Sequence, residues 1–249
     1  MKPNKSPHSG ADIGKSISPF GVVDAWVFDL DNTLYPRHTM LFEQVDRRIR
    51  DYVQRLLALG PEDAEHLRRD YYRRYGTTLR GLMEEHGIHA DEFLEHVHDI
   101  DHSAIEPNPR LTSAIARLPG RKFIMTNGSR RHAEKIAEKL GFTDHFEDIF
   151  DIVRAELLPK PNRQAYEGFV AATGLMPSEA AMFEDLPRNL VVPKALGMQT
   201  ILVLPMGTRE VFHEEWELEG RDADHIDHST DDLAEFLENV LAAIGMAAR

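Results

Sequence analysis

Val22-Val23-Asp24-Ala25-Trp26-Val27-Phe28-Asp29-Leu30-Asp31-Asn32-Thr33 is the stretch on which the fold turns. Residues 22–28 are apolar at nearly every position, which predicts a strand buried on both faces. The run stops abruptly at Asp29, and polar residues follow. A buried strand that closes on Asp-x-Asp-x-Thr sets two carboxylates just beyond its carboxyl end.

Downstream of this stretch, strands and helices alternate. Lys122–Met125 predicts a second strand, followed by a Thr126-Asn127-Gly128 turn. Ser129 is read as the N-cap of a helix that ends at Gly141. Residues 149–153, 180–183 and 200–204 predict further strands with helices between them. His225 and His228 fall on a short strand before a last helix over about 230–243. Such alternation predicts an α/β fold built on a doubly wound, Rossmann-like parallel sheet.

Residues 36–107 break the alternation. Leu41, Val45, Ile49, Val53 and Leu56 recur at helical spacing, and that helix stops at Gly60. Pro61 starts a second helix, marked by Ala64, Leu67, Tyr71 and Tyr75 and closed by Gly76. Thr78 is read as the cap of a third helix ending at Gly87, and Asp91 as the cap of a fourth. The expected organisation is a disordered tail over 1–20, a core domain over 21–35 and 108–249, and a helical cap domain over 36–107. The cap is inserted after the first strand, on the side where the strand carboxyl ends lie and ligands bind.

Composition narrows the classes. The chain has 249 residues, 42% of them hydrophobic and 29% charged, the balance of a globular protein. Its net charge of −13 disfavours coating a nucleic acid polymer. With no cysteine, disulfide scaffolds, Cys-ligated zinc, iron–sulfur clusters and thiol nucleophiles are excluded. No apolar run reaches membrane-spanning length. Residues 1–20 carry no apolar signal core, so a cytoplasmic location is expected. Gly10, Gly14, Lys15 and Ser16 approach a phosphate-binding loop, but the glycines are one residue too close and no strand precedes them.

Four polar clusters follow strands. Asp29 is ionised at neutral pH and can attack phosphorus without a base. Asp31 is placed to give a proton to a leaving oxygen and later take one from water. The alternative is an Asx turn that merely ends the strand. Thr126 and Asn127, with a helix N-terminus behind them, form a candidate phosphate cradle, or simply a turn. Lys160, set between Pro159 and Pro161, is either a fixed cation or a solvated loop lysine. Glu184 and Asp185 suit Mg²⁺, a hard ion that takes carboxylates and water, or else complement a helix dipole.

All four clusters fall at strand carboxyl ends, and together they are similar to the haloacid dehalogenase superfamily over residues 22–240. The pyrimidine 5′-nucleotidase branch is resembled by residues 27–36, 75–82, 97–101, 126–129, 159–161, 183–190 and 195–200. The resemblance implies that Asp29 is a nucleophile that becomes a phospho-aspartate. It implies that Asp31 is the general acid and base and offers its carbonyl to Mg²⁺. Thr126 and Asn127 would hold the phosphoryl group and Lys160 would neutralise it. Asp185 would bind Mg²⁺ together with Asp29, with Glu184 acting directly or through water. Many members carry a second acid where this chain has Asn189.

The reaction expected is Mg²⁺-dependent hydrolysis of small phosphate monoesters, with pyrimidine nucleoside 5′-monophosphates first. Dehalogenases expel halide, which needs no proton, so keeping Asp31 favours esters. The cap has ten arginines and no lysine. Tyr75, Thr77, Thr78, Arg80 and the His98–Asp99 pair are its candidate substrate contacts. His98, Asp99 and His102 read otherwise as exposed, acidic helix ends. A sugar-phosphate phosphatase, a phosphomutase and a non-catalytic phospho-ligand binding module remain as alternatives. The chain is expected to act as a monomer or homodimer on a small-molecule phosphate ester, away from membranes.

Overall fold

In a computed structural model of the chain, residues 18–205 and 220–247 are described. Residues 1–17 of the tail expected over 1–20, with the near-miss glycine loop at Gly10–Ser16, lie outside them. Ser18–Val22 forms a short 3₁₀ turn, and Phe20 is fully buried, so the end of the expected tail belongs to the core. That turn also shortens the first strand: Val22 stays exposed, and the strand begins at Ala25.

β1 (Ala25–Phe28) is followed by the helical insertion, α1 (Leu41–Leu57), α2 (Pro61–Tyr75), α3 (Thr78–His86) and α4 (Ala90–Val97). These helices bury a hydrophobic cluster of their own around Val53, Tyr71, Leu82 and Phe93. Gly76 ends α2 in the left-handed region that favours glycine. The cap of α3 is Thr77, one residue earlier than expected, its side chain accepting from the Arg80 N–H at 3.1 Å. His89, not Asp91, precedes α4, and no side chain caps it.

The remaining chain supplies α5 (Pro109–Arg117), β2 (Arg121–Met125), α6 (Arg130–Leu140), β3 (Asp148–Phe150), α7 (Arg163–Thr173), β4 (Ala180–Glu184), α8 (Val191–Leu196), β5 (Gln199–Val203), β6 (His228–Thr230) and α9 (Leu233–Ala247). The six strands form one sheet in the order β3-β2-β1-β4-β5-β6, every pair parallel. This is the doubly wound α/β fold expected from the alternation.

Period-two alternation in β1 divides the core. Trp26 and Phe28 face one layer, where Phe28 stacks on Phe183 at 4.6 Å. Ala25 and Val27 face the other, with Phe123, Tyr166 and Phe169. The buried Trp26 indole donates to the Pro119 carbonyl at 2.6 Å, so no polar group is stranded. Among the described residues, no helix is long and apolar enough to cross a membrane.

The loop entering β2 sets the β1–β2 register. Arg121 donates its N–H to the Asp24 carbonyl at 2.7 Å. Gly120 makes the approach possible: its φ is +75°, and a β-carbon there would lie 2.2 Å from the Asp24 oxygen. Gly120→Ala combines left-handed strain with a backbone clash. We expect it to lower unfolding free energy by about 2–3 kcal/mol, read as the urea midpoint. An unchanged midpoint would contradict this reading of the loop.

Candidate active site

The sheet register builds the site. Phe28 pairs with Ile124 on β2 and with Phe183 on β4. The residues that follow, Asp29 on one strand, Thr126 on the next and Glu184 and Asp185 on the third, therefore emerge at one level. Past Asp29 the chain turns sharply, with Thr33 and Leu34 donating their N–H groups to the Leu30 carbonyl at 3.3 and 3.0 Å. Asn32 sits in this turn at φ 62°, a conformation asparagine tolerates better than most side chains.

Lys160 is the hub. Its ammonium is 2% exposed and donates to Asp29 Oδ1 at 2.6 Å, Glu184 Oε1 at 2.7 Å and the Met125 carbonyl at 3.0 Å. Three protons meet three acceptors, so it is not a solvated loop lysine. Burial pushes Lys160 down, but Asp29 and Glu184 outweigh it and hold the ammonium charged. The loop carrying Lys160 is clamped by Asn127: the Lys160 N–H donates to Asn127 Oδ1 at 2.8 Å, and Asn127 Nδ2 returns a bond to the Lys160 carbonyl at 3.3 Å. The Asn127 side chain is thus spent on Lys160, which leaves its backbone for a ligand. Thr126 Oγ1 accepts from the Gly128 N–H at 2.9 Å, keeping its own proton to donate.

The other oxygen of Asp29 accepts from the Thr33 hydroxyl at 3.0 Å. Burial pushes Asp29 up to about 7 against the pull of Lys160, and Glu184 and Asp31 push the same way. Asp185 is driven well above the ordinary range, first by burial and then by Glu184 and Asp29, against Arg37 at 3.0 Å. Oxygens of Asp29, Glu184 and Asp185 lie within 4.8 Å of one another. One ammonium and one guanidinium for three crowded carboxylates leave a negative surplus that a hard divalent cation fits. Glu184 is already well served. Besides Lys160, it accepts from Asn189 Nδ2 at 2.7 Å and the Leu186 N–H at 2.9 Å. Asn189 fills the place of a second acid by orienting Glu184. Asp29 and Asp185 are the carboxylates best placed to hold a cation directly.

Asp31 is built differently. Its Oδ1 accepts from the Tyr35 hydroxyl at 2.6 Å and faces His132 Nε2 at 2.9 Å. Burial pushes Asp31 up, but His132 and the two hydrogen bonds outweigh it and hold the carboxyl below its usual range. His98, at the end of α4, stacks on His132 at 4.3 Å and bonds Ser129 Oγ through Nδ1 at 2.9 Å. His98 is therefore part of the site rather than an exposed helix end. Burial and His132 push its imidazole down to about 3. His132, Tyr35 and Arg37 were given no role in the sequence reading, and Thr33 entered it only as part of the Asp-x-Asp-x-Thr stretch. The signal for His132 was a histidine in the first turn of the helix that starts from the Thr126-Asn127 turn.

A cavity of about 170 Å³ joins this centre to the insertion. Phe42, Val45, Ile49, Leu79 and Phe93 make its apolar wall, and Thr77 and Thr78 also line it. Tyr75 and Arg80 do not. Tyr75 packs edge-on against Tyr71 and bonds Glu85, and Arg80 pairs with Glu84. Tyr71 and Tyr75 share one face of α2 and turn toward α3, whereas Arg68 and Tyr72, also four apart, face the cavity.

The profile of the haloacid dehalogenase-like hydrolases matches residues 23–197, and the chain belongs to that family. Phosphate metabolism protein 8 of Saccharomyces cerevisiae is 25% identical over 221 residues, 79% of this chain and 68% of that protein. Phosphoglycolate phosphatase of Chromobacterium violaceum is 27% identical over 198 residues, 73% of this chain and 85% of that one. Two solved structures share the fold. The L-2-haloacid dehalogenase of Xanthobacter autotrophicus has a TM-score of 0.55 at 18% identity, covering 88% of this chain and 98% of its own. A phosphatase from Thermococcus onnurineus has 0.56 at 16%, with the same coverage.

Lys160→Met would leave Asp29 and Glu184 facing each other in a dry site. Breaking one partner from such a cluster costs about 3–5 kcal/mol. In the wild type, burial raises Glu184 but Lys160 outweighs it and holds it low, so its contribution is full above the ordinary glutamate range and fades as pH falls. In the variant both carboxyls are raised, so their penalty is full at high pH and disappears as they take up protons. The stability deficit measured by urea unfolding is expected to be larger at pH 8 than at pH 5. A deficit independent of pH would show that Lys160 acts through packing alone.

Proposed function

We propose that this haloacid dehalogenase-like hydrolase is a Mg²⁺-dependent phosphatase. It cleaves small phosphate monoesters through a phospho-aspartate on Asp29, with pyrimidine nucleoside 5′-monophosphates preferred. The observation that carries this reading is the division of labour between two carboxylates two residues apart. Asp29 is bound to an ammonium, as a nucleophile approaching an anion must be. Asp31 is bound instead by a phenol and an imidazole, both on Oδ1, so that Oδ2 is the oxygen left to carry a proton. Halide expulsion has no use for the second group.

Repulsion sets the problem for the site. Two unit charges 4 Å apart repel by about 4 kcal/mol at an effective dielectric of 20, and Asp29 meets a phosphate dianion. Lys160 offsets this from the protein side. Asp29 and Asp185, with the Asp31 carbonyl, would hold Mg²⁺, which supplies positive charge against the phosphoryl oxygens when bound. Thr126 and the backbone N–H groups at the start of α6 receive the phosphoryl oxygens. An oxygen of Asp29 attacks phosphorus, and Asp31 protonates the oxygen that leaves. Water then attacks the phospho-aspartate, and Asp31 takes its proton.

The cavity supports the substrate preference. Phe42, Val45, Ile49, Leu79 and Phe93 offer an apolar slot, which suits a flat base better than the hydroxyls of a sugar. Thr77, Thr78 and the Arg68–Asp46 pair, bonded at 3.1 Å, give the slot polar edges that can read the rim of a base.

Phosphate release from UMP, CMP, AMP, GMP, sugar phosphates and phosphoglycolate tests the reading. We expect kcat/KM highest for UMP or CMP, release abolished by EDTA and restored by Mg²⁺, and Asp29→Asn at background. Release from sugar phosphates alone would discard the pyrimidine preference and keep the mechanism. No release from any ester by folded, Mg²⁺-loaded protein would favour a phospho-ligand binding module.

A further inference from the structure

His132 is 1% exposed and makes one polar side-chain contact among the described residues, Nε2 to Asp31 Oδ1 at 2.9 Å. Its Nδ1 is buried with no hydrogen-bond partner among those residues. A histidine kept for packing has no reason to strand a nitrogen, since a buried polar atom without a partner costs free energy. The ring is pinned from several sides. His98 stacks on it at 4.3 Å and 17°, His102 lies 5.9 Å away, and the His132 N–H caps onto Ser129 Oγ at 3.3 Å. Ser129 holds His98 in turn at 2.9 Å. The orientation of one nitrogen toward Asp31 is therefore built in from both the core and the inserted helices.

Both donors to Asp31 fall on the same oxygen. Tyr35 donates to Oδ1 at 2.6 Å, and His132 meets the same atom. Among the described residues, no donor meets Oδ2. An oxygen that already accepts two hydrogen bonds is a poor place for a proton, so a protonated Asp31 carries its proton on Oδ2.

We propose that His132 is a positioning residue for proton transfer, loading Oδ1 of Asp31 together with Tyr35 so that Oδ2 delivers the proton to the leaving oxygen. This rests on the phosphatase reading. As the bond from Asp29 to phosphorus forms, the bond from phosphorus to the ester oxygen breaks. The electron pair stays on that oxygen and takes the proton from Oδ2. The charge left on Asp31 is received by the His132 N–H and the Tyr35 hydroxyl.

A pair of substrates separates this role from a structural one. Benzyl phosphate releases an alkoxide that needs a proton; 4-nitrophenyl phosphate releases a stable phenolate that does not. His132→Ala is expected to lower kcat/KM for benzyl phosphate by about 10- to 100-fold, and for 4-nitrophenyl phosphate by less than about 3-fold. The ratio of the two values does not depend on the fraction of the variant that folds, so a poorly folding preparation still answers. His132→Gln keeps a donor where Nε2 stands and is expected to bring the ratio back toward wild type. Equal losses on both substrates would overturn the proposal, as would a Gln variant whose ratio is as disturbed as that of Ala. A wild type inert toward both esters and toward UMP would overturn the phosphatase reading and this proposal with it.

Discussion

One buried ammonium holds this site together. Lys160 donates all three protons within 3.0 Å, to Asp29, to Glu184 and to the Met125 carbonyl at the end of β2. Without it, carboxylates at the ends of β1 and β4 could not share a dry space at neutral pH. Its reach spans the central strands, so the sheet register and the charge balance depend on each other. Asn127 fixes the Lys160 backbone, and Asn189 and the Leu186 N–H fix the glutamate it binds. The Asn127 side chain thus serves the loop that carries the cation and the Asn189 side chain its partner Glu184, while the Asn127 backbone is left for a ligand.

Around that hub the two carboxylates of the Asp29-Leu30-Asp31 stretch are kept in different electrostatic company. Asp29 faces Lys160 and Thr33, while Asp31 faces Tyr35 and His132. Strand geometry helps, because the turn after β1 sends the second acid away from the sheet and toward α6. The inserted helices reach the same centre at several points. Arg37 binds Asp185, His98 covers His132, and Arg188 lies 4.5 Å over the Tyr72 ring. Two of these contacts fall on Asp185 and on the partner of Asp31, so under the proposed chemistry seating of the insertion and geometry of the reacting groups are linked.

The framework was legible in the sequence because it depends on local rules. Apolar runs ending in acids marked β1 and β4, and a serine followed by a helical run marked α6. The family resemblance, drawn from those same stretches, agrees with the matched profile over residues 23–197. What escaped reading depends on which way a side chain turns. Tyr75 and Arg80 looked like substrate contacts, yet on α2 it is the neighbouring register, Arg68 and Tyr72, that faces the cavity. His98 read as an exposed helix end because its partner, His132, lies 34 residues away on another element. Thr77 and Thr78 were confused because either hydroxyl can cap a helix, and only backbone conformation decides. The lysine was read as to its place, but the number of its partners is a tertiary fact.

The central claim is that Asp29 carries the phosphoryl group between two transfers. Mixing the Mg²⁺-loaded protein with substrate, quenching in acid within milliseconds and mapping peptides by mass tests it directly. The account predicts one phosphoryl group on the peptide holding Asp29, labile to hydroxylamine, and formed before steady-state phosphate release. Turnover at full rate with no acyl phosphate on that peptide at any quench time would contradict it.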